Sequence, residues 1–306
     1  MANIVLADGS LAERPNPEEM RVVWIITFSL LLSTAFFTVL HHVFPSVFDV
    51  PLSEIKQKGV PFMDYPTMFF LDLIPISLAW LCFHHAWRRL GLYRAMIFLG
   101  GSFVFTGVEE SMWIFLGRYQ TQLQHALGIS KIPNITTGGI MGDVQGTYYF
   151  TRGFFWFLET PVMACVGWFF VAYSCVYVAD LVLPKAKIVW RATMGGLLAV
   201  NLDLWLDPVQ THKTFISWVW KSPDAINIFH IPFSNFVGWF LLIFLFAIVF
   251  ERVPEMVKRW GPGKAVLCFY GILMGLEFCI LAFFSIYGSL AMNFFSKPIY
   301  FTLWRI

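Results

Sequence analysis

The stretch Phe233–Phe250, FSNFVGWFLLIFLFAIVF, runs eighteen residues without a charge. That is close to the ~20 residues a helix needs to cross a bilayer. Lipid cannot hydrogen-bond an exposed backbone, so such a segment has to be helical. Six further segments read the same way: Val22–Val43, Pro66–Trp87, Ala95–Leu116, Phe154–Leu183, Ile188–Leu206 and Lys264–Met292. The 306-residue chain is 58% hydrophobic and 13% charged, against roughly 25% charged in soluble domains. The fold class is therefore an all-α integral membrane protein, a bundle of about seven transmembrane helices. A polar arm (1–21) precedes the membrane domain (22–292), which carries an extended loop at 117–153. A tail (293–306) follows. We find neither an internal repeat nor a low-complexity tract.

The net charge of +2 is spread over the loops, so no nucleic-acid partner is expected. The five cysteines lie in apolar segments without a CxxC pair and read as small apolar filler. The arm MANIVLADGSLAERPNPEEM lacks a basic start and a small-residue cleavage site, so the first span is expected to stay as an anchor. The linkers RRLGLYR, PKAK and ERVPEMVKRWGPG, after spans two, four and six, are short and basic. By the positive-inside rule they face the cytoplasm. The expected setting is a bacterial inner membrane with a cytoplasmic N-terminus.

Acids inside the spans carry the chemistry. Asp72, Glu109, Glu110, Glu159, Asp203 and Asp207 all fall in one leaflet once the helices alternate, on the side of the long linkers. The first four sit on the order of 8–10 Å below that boundary at ~1.5 Å per residue. Asn201 and Asn235 join the layer, and Glu277 lies deeper. Ionisable groups inside a membrane are costly and mark functional sites by default. The plain alternative is hydrogen-bonded packing between helices. Crowded carboxyls in a low dielectric share protons, which makes them proton donors. Asp203 and Asp207 stand at i and i+4 on one face, with Pro208 expected to end the helix just beyond them. Glu109 and Glu110 point about 100° apart, so one of the two faces the shared interior.

A di-iron oxidase would need about eight histidines on one side. The chain has seven, and His41–His42 and His84–His85 end opposite leaflets. No ligand spacing supports a metal, and none is expected. GGIMGDVQG (138–146) lacks the Lys-Ser/Thr ending of a phosphate loop.

LDLWLDPV (202–209), WVW (218–220) and IPFSNFVGWF (231–240) resemble the carotenoid-biosynthesis membrane proteins of the bisanhydrobacterioruberin hydratase and carotenoid 1,2-hydratase type, the CruF-like family. FLGRY at Phe115–Tyr119 and GTYYFTRGFFWFLETPVMACVGWFFVAY at Gly146–Tyr173 extend the likeness. The insert Gln120–Gln145, the pair in GVEESMW and the THKT segment depart from it and mark a divergent member. The resemblance implies hydration of a terminal isoprenoid double bond, without cofactor. Asp203 and Asp207 would form the acid/base centre, and Glu109, Glu110 and Glu159 would share its proton. Asn201, Asn235, Asp72, Tyr119, Trp218, Trp220 and Trp239 would bind a lipophilic polyene entering from the membrane lipid. Two alternatives stay open. One is a non-catalytic carotenoid-, lipid- or quinone-binding subunit that meets a membrane partner through 120–145 or the N-terminal arm. The other is a metal-dependent oxidase or hydroxylase. A proton-coupled transporter is disfavoured by the absence of a repeat.

Overall fold

The computed structural model describes residues 15–44, 64–114, 148–212, 217–220, 226–294 and 299–301. Helix α1 (Pro17–Val43) starts in a capping box between Asn16 and Glu19, and α2 (Tyr65–Leu90) starts on Asp64. Bonds from Thr67 hold the exposed Asp64 carboxyl below its ordinary pKa. The third span is α3 (Leu92–Ser102), a π turn (Phe103–Gly107) and helical residues 108–114. Then follow α4 (Val162–Val182), α5 (Ile188–Gln210), α6 (Phe233–Glu251), the short α7 (Val253–Trp260) and α8 (Pro262–Phe294). Five helices among the described residues are long and apolar enough to cross a membrane. The third span, broken by its π turn, and α5, which carries Arg191, Asp203 and Asp207, complete the expected seven. Their shared core is aromatic: Phe98, Phe105, Phe169 and Phe269 are fully buried. Much of α1 and α2 shows apolar side chains outward, as lipid-facing helices do.

Two expected boundaries shift. Span four begins at Val162 rather than Phe154. Residues 156–161 instead form a hairpin of β2 (Trp156–Phe157) and β3 (Thr160–Pro161). An apolar run this short reads alike as helix or strand. Its backbone is satisfied from neighbouring helices: Phe154 and Phe155 donate to Asp72 Oδ2 at 2.9 and 3.1 Å, and Trp156 to Thr38 Oγ1 at 2.9 Å. His41 and His42 donate through Nε2 to the carbonyls of Leu158 and Phe154, both at 2.8 Å. Span five, in turn, does not stop at Pro208 but continues to Gln210. Proline removes one backbone bond, and the last turn is recovered when the Thr211 N–H and hydroxyl both donate to the Asp207 carbonyl, at 2.9 and 2.8 Å.

The expectation of no internal repeat is also corrected. Strands β5 (Ile226–Ile228) and β6 (Ile231–Pro232) form a second hairpin, which leads into α6 as β2–β3 leads into α4. Pairing Trp156↔Pro161 in one matches Asn227↔Pro232 in the other. Each has a two-residue turn with positive φ, at Leu158 in the first and at Phe229 and His230 in the second. Pro161 and Pro232 both cap their helices at φ near −60° (−59° and −54°), where no N–H is needed. Five residues on, each helix carries Val-Gly-Trp-Phe, at 166–169 and 237–240. The two tryptophans, Trp168 and Trp239, stack with centroids 4.0 Å apart. The preceding helices match as well: Arg94–Ala95 in α3 answers Arg191–Ala192 in α5, and sixteen residues past each arginine stands an acid, Glu110 or Asp207. The bundle thus holds two parallel helix–hairpin–helix units, the arrangement in which repeats share an axis along the membrane normal. Only short matched segments survive, too few to stand out in an apolar chain.

In the second unit α5 and α6 approach closely at Gly196, where an added Cβ would lie 2.7 Å from the Phe240 ring and 3.0 Å from its backbone oxygen. Gly196→Leu should therefore force the pair apart and cost about 1–3 kcal/mol, read as a lower unfolding midpoint in detergent. An unchanged midpoint would refute this packing.

Candidate active site

The site is built on that α5–α6 contact. Asp203 and Asp207 lie one turn apart on the α5 face turned to α6, 0% and 2% exposed. Asn235, in the first turn of α6, donates from Nδ2 to Asp203 Oδ2 and Asp207 Oδ2, both at 2.7 Å. One amide nitrogen thus reaches an oxygen of each carboxyl, and buried carboxyls brought this close share a proton. Asp203 Oδ1 has no protein partner. The pair is therefore a store of at least one proton, held rigidly by a neutral amide.

Glu110 comes to the same place from the third span, just past the π turn. Its Oε1 accepts from Trp168 Nε1 at 3.1 Å, while Oε2 is buried without a partner. The widened turn is braced at the Gly107 carbonyl, which accepts from Ser111 Oγ at 2.7 Å and Thr160 Oγ1 at 3.0 Å. Glu277 of α8 is 1% exposed, and neither of its oxygens has a protein partner. The Trp113–Phe284 ring contact at 6.3 Å sets α8 against the third span. Counting back along α8 places Glu277 about one turn deeper than Glu110.

Asp207, Glu110 and Asn235 line a cavity of about 380 Å³. Its walls include the indoles of Trp168, Trp218, Trp220 and Trp239. Toward the lipid it is apolar, between Leu71, Ile74 and Leu78 of α2 and Phe170 and Val171 of α4. The three α2 side chains are themselves exposed on the bundle surface. On its other side the rim is polar: Arg152 donates to Ser217 Oγ at 2.7 Å, and Ser217 Oγ to Gln210 Oε1 at 2.5 Å. Burial lowers the pKa of the Arg152 guanidinium, and the Asp72 charge opposes that shift. A ribbon of β1 (Tyr148–Phe150) and β4 (Trp218–Trp220), paired Tyr148↔Trp220, borders the cavity.

The structure thus brings Asp203, Asp207, Glu110, Asn235, Trp218, Trp220, Trp239 and Asp72 to the cavity or directly behind it. Glu109 faces a smaller adjoining space of about 50 Å³, with Trp113 and Phe284. Two expected members lie elsewhere. Glu159 sits in the β2–β3 turn and does not line the cavity, because span four starts three residues later. Asn201 is exposed, since two residues before Asp203 is roughly 200° around the helix. Tyr119, the insert 120–145 and residues 1–14 of the arm lie outside the described residues. Sequence reasoning passed over Trp168, although its match to Trp239 in the repeat would have found it. It also passed over Arg152, Ser217 and Gln210, which no motif marks. Among the described residues no three His, Cys, Asp or Glu side chains are arranged to hold a metal ion.

A family model described as "Carotenoid biosynthesis protein" matches residues 134–298, more than half of the chain, and spans Trp168, Asp203, Asp207, Asn235 and Glu277. No curated protein and no solved structure matches. From the geometry alone, Asn235→Leu should strand two buried carboxyls and lower stability by about 1–3 kcal/mol. Titration into SDS would show an earlier unfolding transition, and a wild-type transition would rule out the bridging amide as a structural link.

Proposed function

Because the chain belongs to the carotenoid biosynthesis protein family, and serves in carotenoid biosynthesis as a membrane protein, we propose that it adds water across a terminal double bond of an acyclic, isoprenoid polyene. The observation that carries this reading is the Asp203–Asn235–Asp207 bridge at the base of an indole-lined cavity that is apolar toward lipid and polar at its rim.

The polyene end enters between α2 and α4, and the rest of the chain remains among lipid tails. Asp207, which lines the cavity while Asp203 does not, gives its proton to the less substituted alkene carbon. The π bond becomes a C–H bond, and a tertiary cation forms at the neighbouring carbon. The stacked Trp168 and Trp239 rings stabilise that cation through their electron-rich faces. A water from the rim beside Arg152, Ser217 and Gln210 forms the new C–O bond. Its surplus proton passes to a carboxylate, with Glu110 placed to take it, and from there back to the aspartate pair. The sum is alkene plus water to tertiary alcohol, with every protein group restored and no electron transferred. Asn235 keeps the two aspartates at one distance throughout, so the proton moves between fixed positions.

In membranes supplied with lycopene, wild-type protein should yield a product heavier by one water per end group, read by chromatography and mass spectrometry. Asp207→Asn should reduce that product at least ~10²-fold at unchanged protein level. Wild-type turnover in Asp207→Asn would sink the assignment. A polyene bound one-to-one and never modified would make the chain a binding protein instead.

A further inference from the structure

A second polar cluster stands at the opposite end of the bundle from the carboxyl layer, where α2 meets α3, α4 meets α5, and α6 ends. Arg89 donates to Asp180 Oδ2 at 2.7 Å. Arg191 spans two acids, reaching Asp180 Oδ1 at 2.7 Å and Glu251 Oε1 at 2.9 Å. Arg94, in the first turn of α3, has no such partner. It lies over the Phe250 ring at 5.3 Å, makes no ion pair or hydrogen bond among the described residues, and its Nε is buried without an acceptor. All three guanidiniums, with both acids and Tyr173, line one cavity of about 40 Å³.

The repeat explains why Arg94 is left over. Each unit supplies one arginine at the start of its first helix, Arg94 or Arg191, and one acid at the end of its second. Asp180 and Glu251 each stand nineteen residues past their capping proline. Two arginines would match two acids. Arg89, contributed by α2 from outside the repeat, takes one oxygen of Asp180, and Arg191 takes the other together with Glu251. Three cations against two anions leave one positive charge in a mostly closed space. Arg94 is partly buried and bonded to no anion among the described residues, a situation that favours taking one up. Basic pockets between membrane helices at the headgroup level take lipid phosphates, and a guanidinium fork fits two phosphate oxygens.

We propose that this pocket binds a singly charged phosphate group through Arg94, with Arg191 and Arg89 behind it. One surplus charge matches the single charge of a phosphodiester. The space has room for roughly three waters at 10–15 Å³ each, so it admits the phosphate and leaves any acyl chains outside. The site lies away from the acid cavity and does not depend on the reaction assigned there.

The test uses the full chain, purified in detergent and stripped of lipid. Phosphatidylglycerol is titrated in one arm by native mass spectrometry, and inorganic phosphate in the other by melting temperature. Wild type should take up one phosphatidylglycerol saturably, and Arg94→Gln should weaken that about tenfold. Arg94→Lys, which keeps the charge and loses the fork, should fall between. An Arg94-dependent response to inorganic phosphate alone would support the same site with a free anion as its ligand. Equal binding by wild type and Arg94→Gln, or none by wild type in either arm, overturns the proposal. If Arg94→Gln does not fold, the Arg94→Lys comparison and the wild-type titrations decide it.

Discussion

One amide group holds the carboxyl site of this molecule in place. The Asn235 side chain gives both of its hydrogens to carboxyls on the neighbouring helix, and each bond is 2.7 Å. In a low dielectric neither carboxyl could stand alone, and a cationic partner would hold both ionised. A neutral donor instead allows the pair to keep a proton. The bond also sets how α5 and α6 lie against each other, which is why Gly196 must be bare opposite Phe240. Once that contact is fixed, Asp207 faces the cavity and Asp203 sits behind it.

The two helix–hairpin–helix units show what changes one scaffold into an asymmetric site. Three residues past each capping proline stands Asn235 in one unit and Ala164 in the other. The asparagine fills its position with hydrogen bonds. The alanine leaves room, and it lines the large cavity together with Gly167. Gly238, the counterpart of Gly167, borders the small space beside Glu109 instead. The indoles of Trp168 and Trp239 stack on each other where the units meet, so a single substrate end would meet the pair as one aromatic wall. Specialisation here required filling one of two matched positions rather than inventing a pocket.

Much of this was legible in the residues. Seven apolar segments are a coarse signal that few polar interruptions can hide, and helix alternation alone sorted the acids into one layer. The layer was correct for Asp72, Glu110, Asp203 and Asp207 because depth follows from residue count. Facing direction was harder. Asn201 shares the depth but not the side, and a helical wheel drawn from Asp203 would have excluded it. The hairpins were hidden because five or six apolar residues have no period long enough to separate strand from helix, and Glu159 was misplaced with them. Pro208 looked like a stop because the compensating bonds come from Thr211, one residue past the helix end. The rim of Arg152, Ser217 and Gln210 joins three separate segments, and only folding brings them together.

The π turn at Phe103–Gly107 has a consequence for how this chain can vary. A π turn holds one residue more than the α-helical turn it replaces. Winding it as α-helix at unchanged chain length would rotate everything after it by about 100°. Glu110 would leave the cavity, Glu109 would move toward its place, and the indole of Trp168 would lose its acceptor. The surplus residue therefore acts as a register key. It selects which of two adjacent glutamates the cavity receives, and an α-wound turn of the same length would exchange them while leaving every side chain of the site intact.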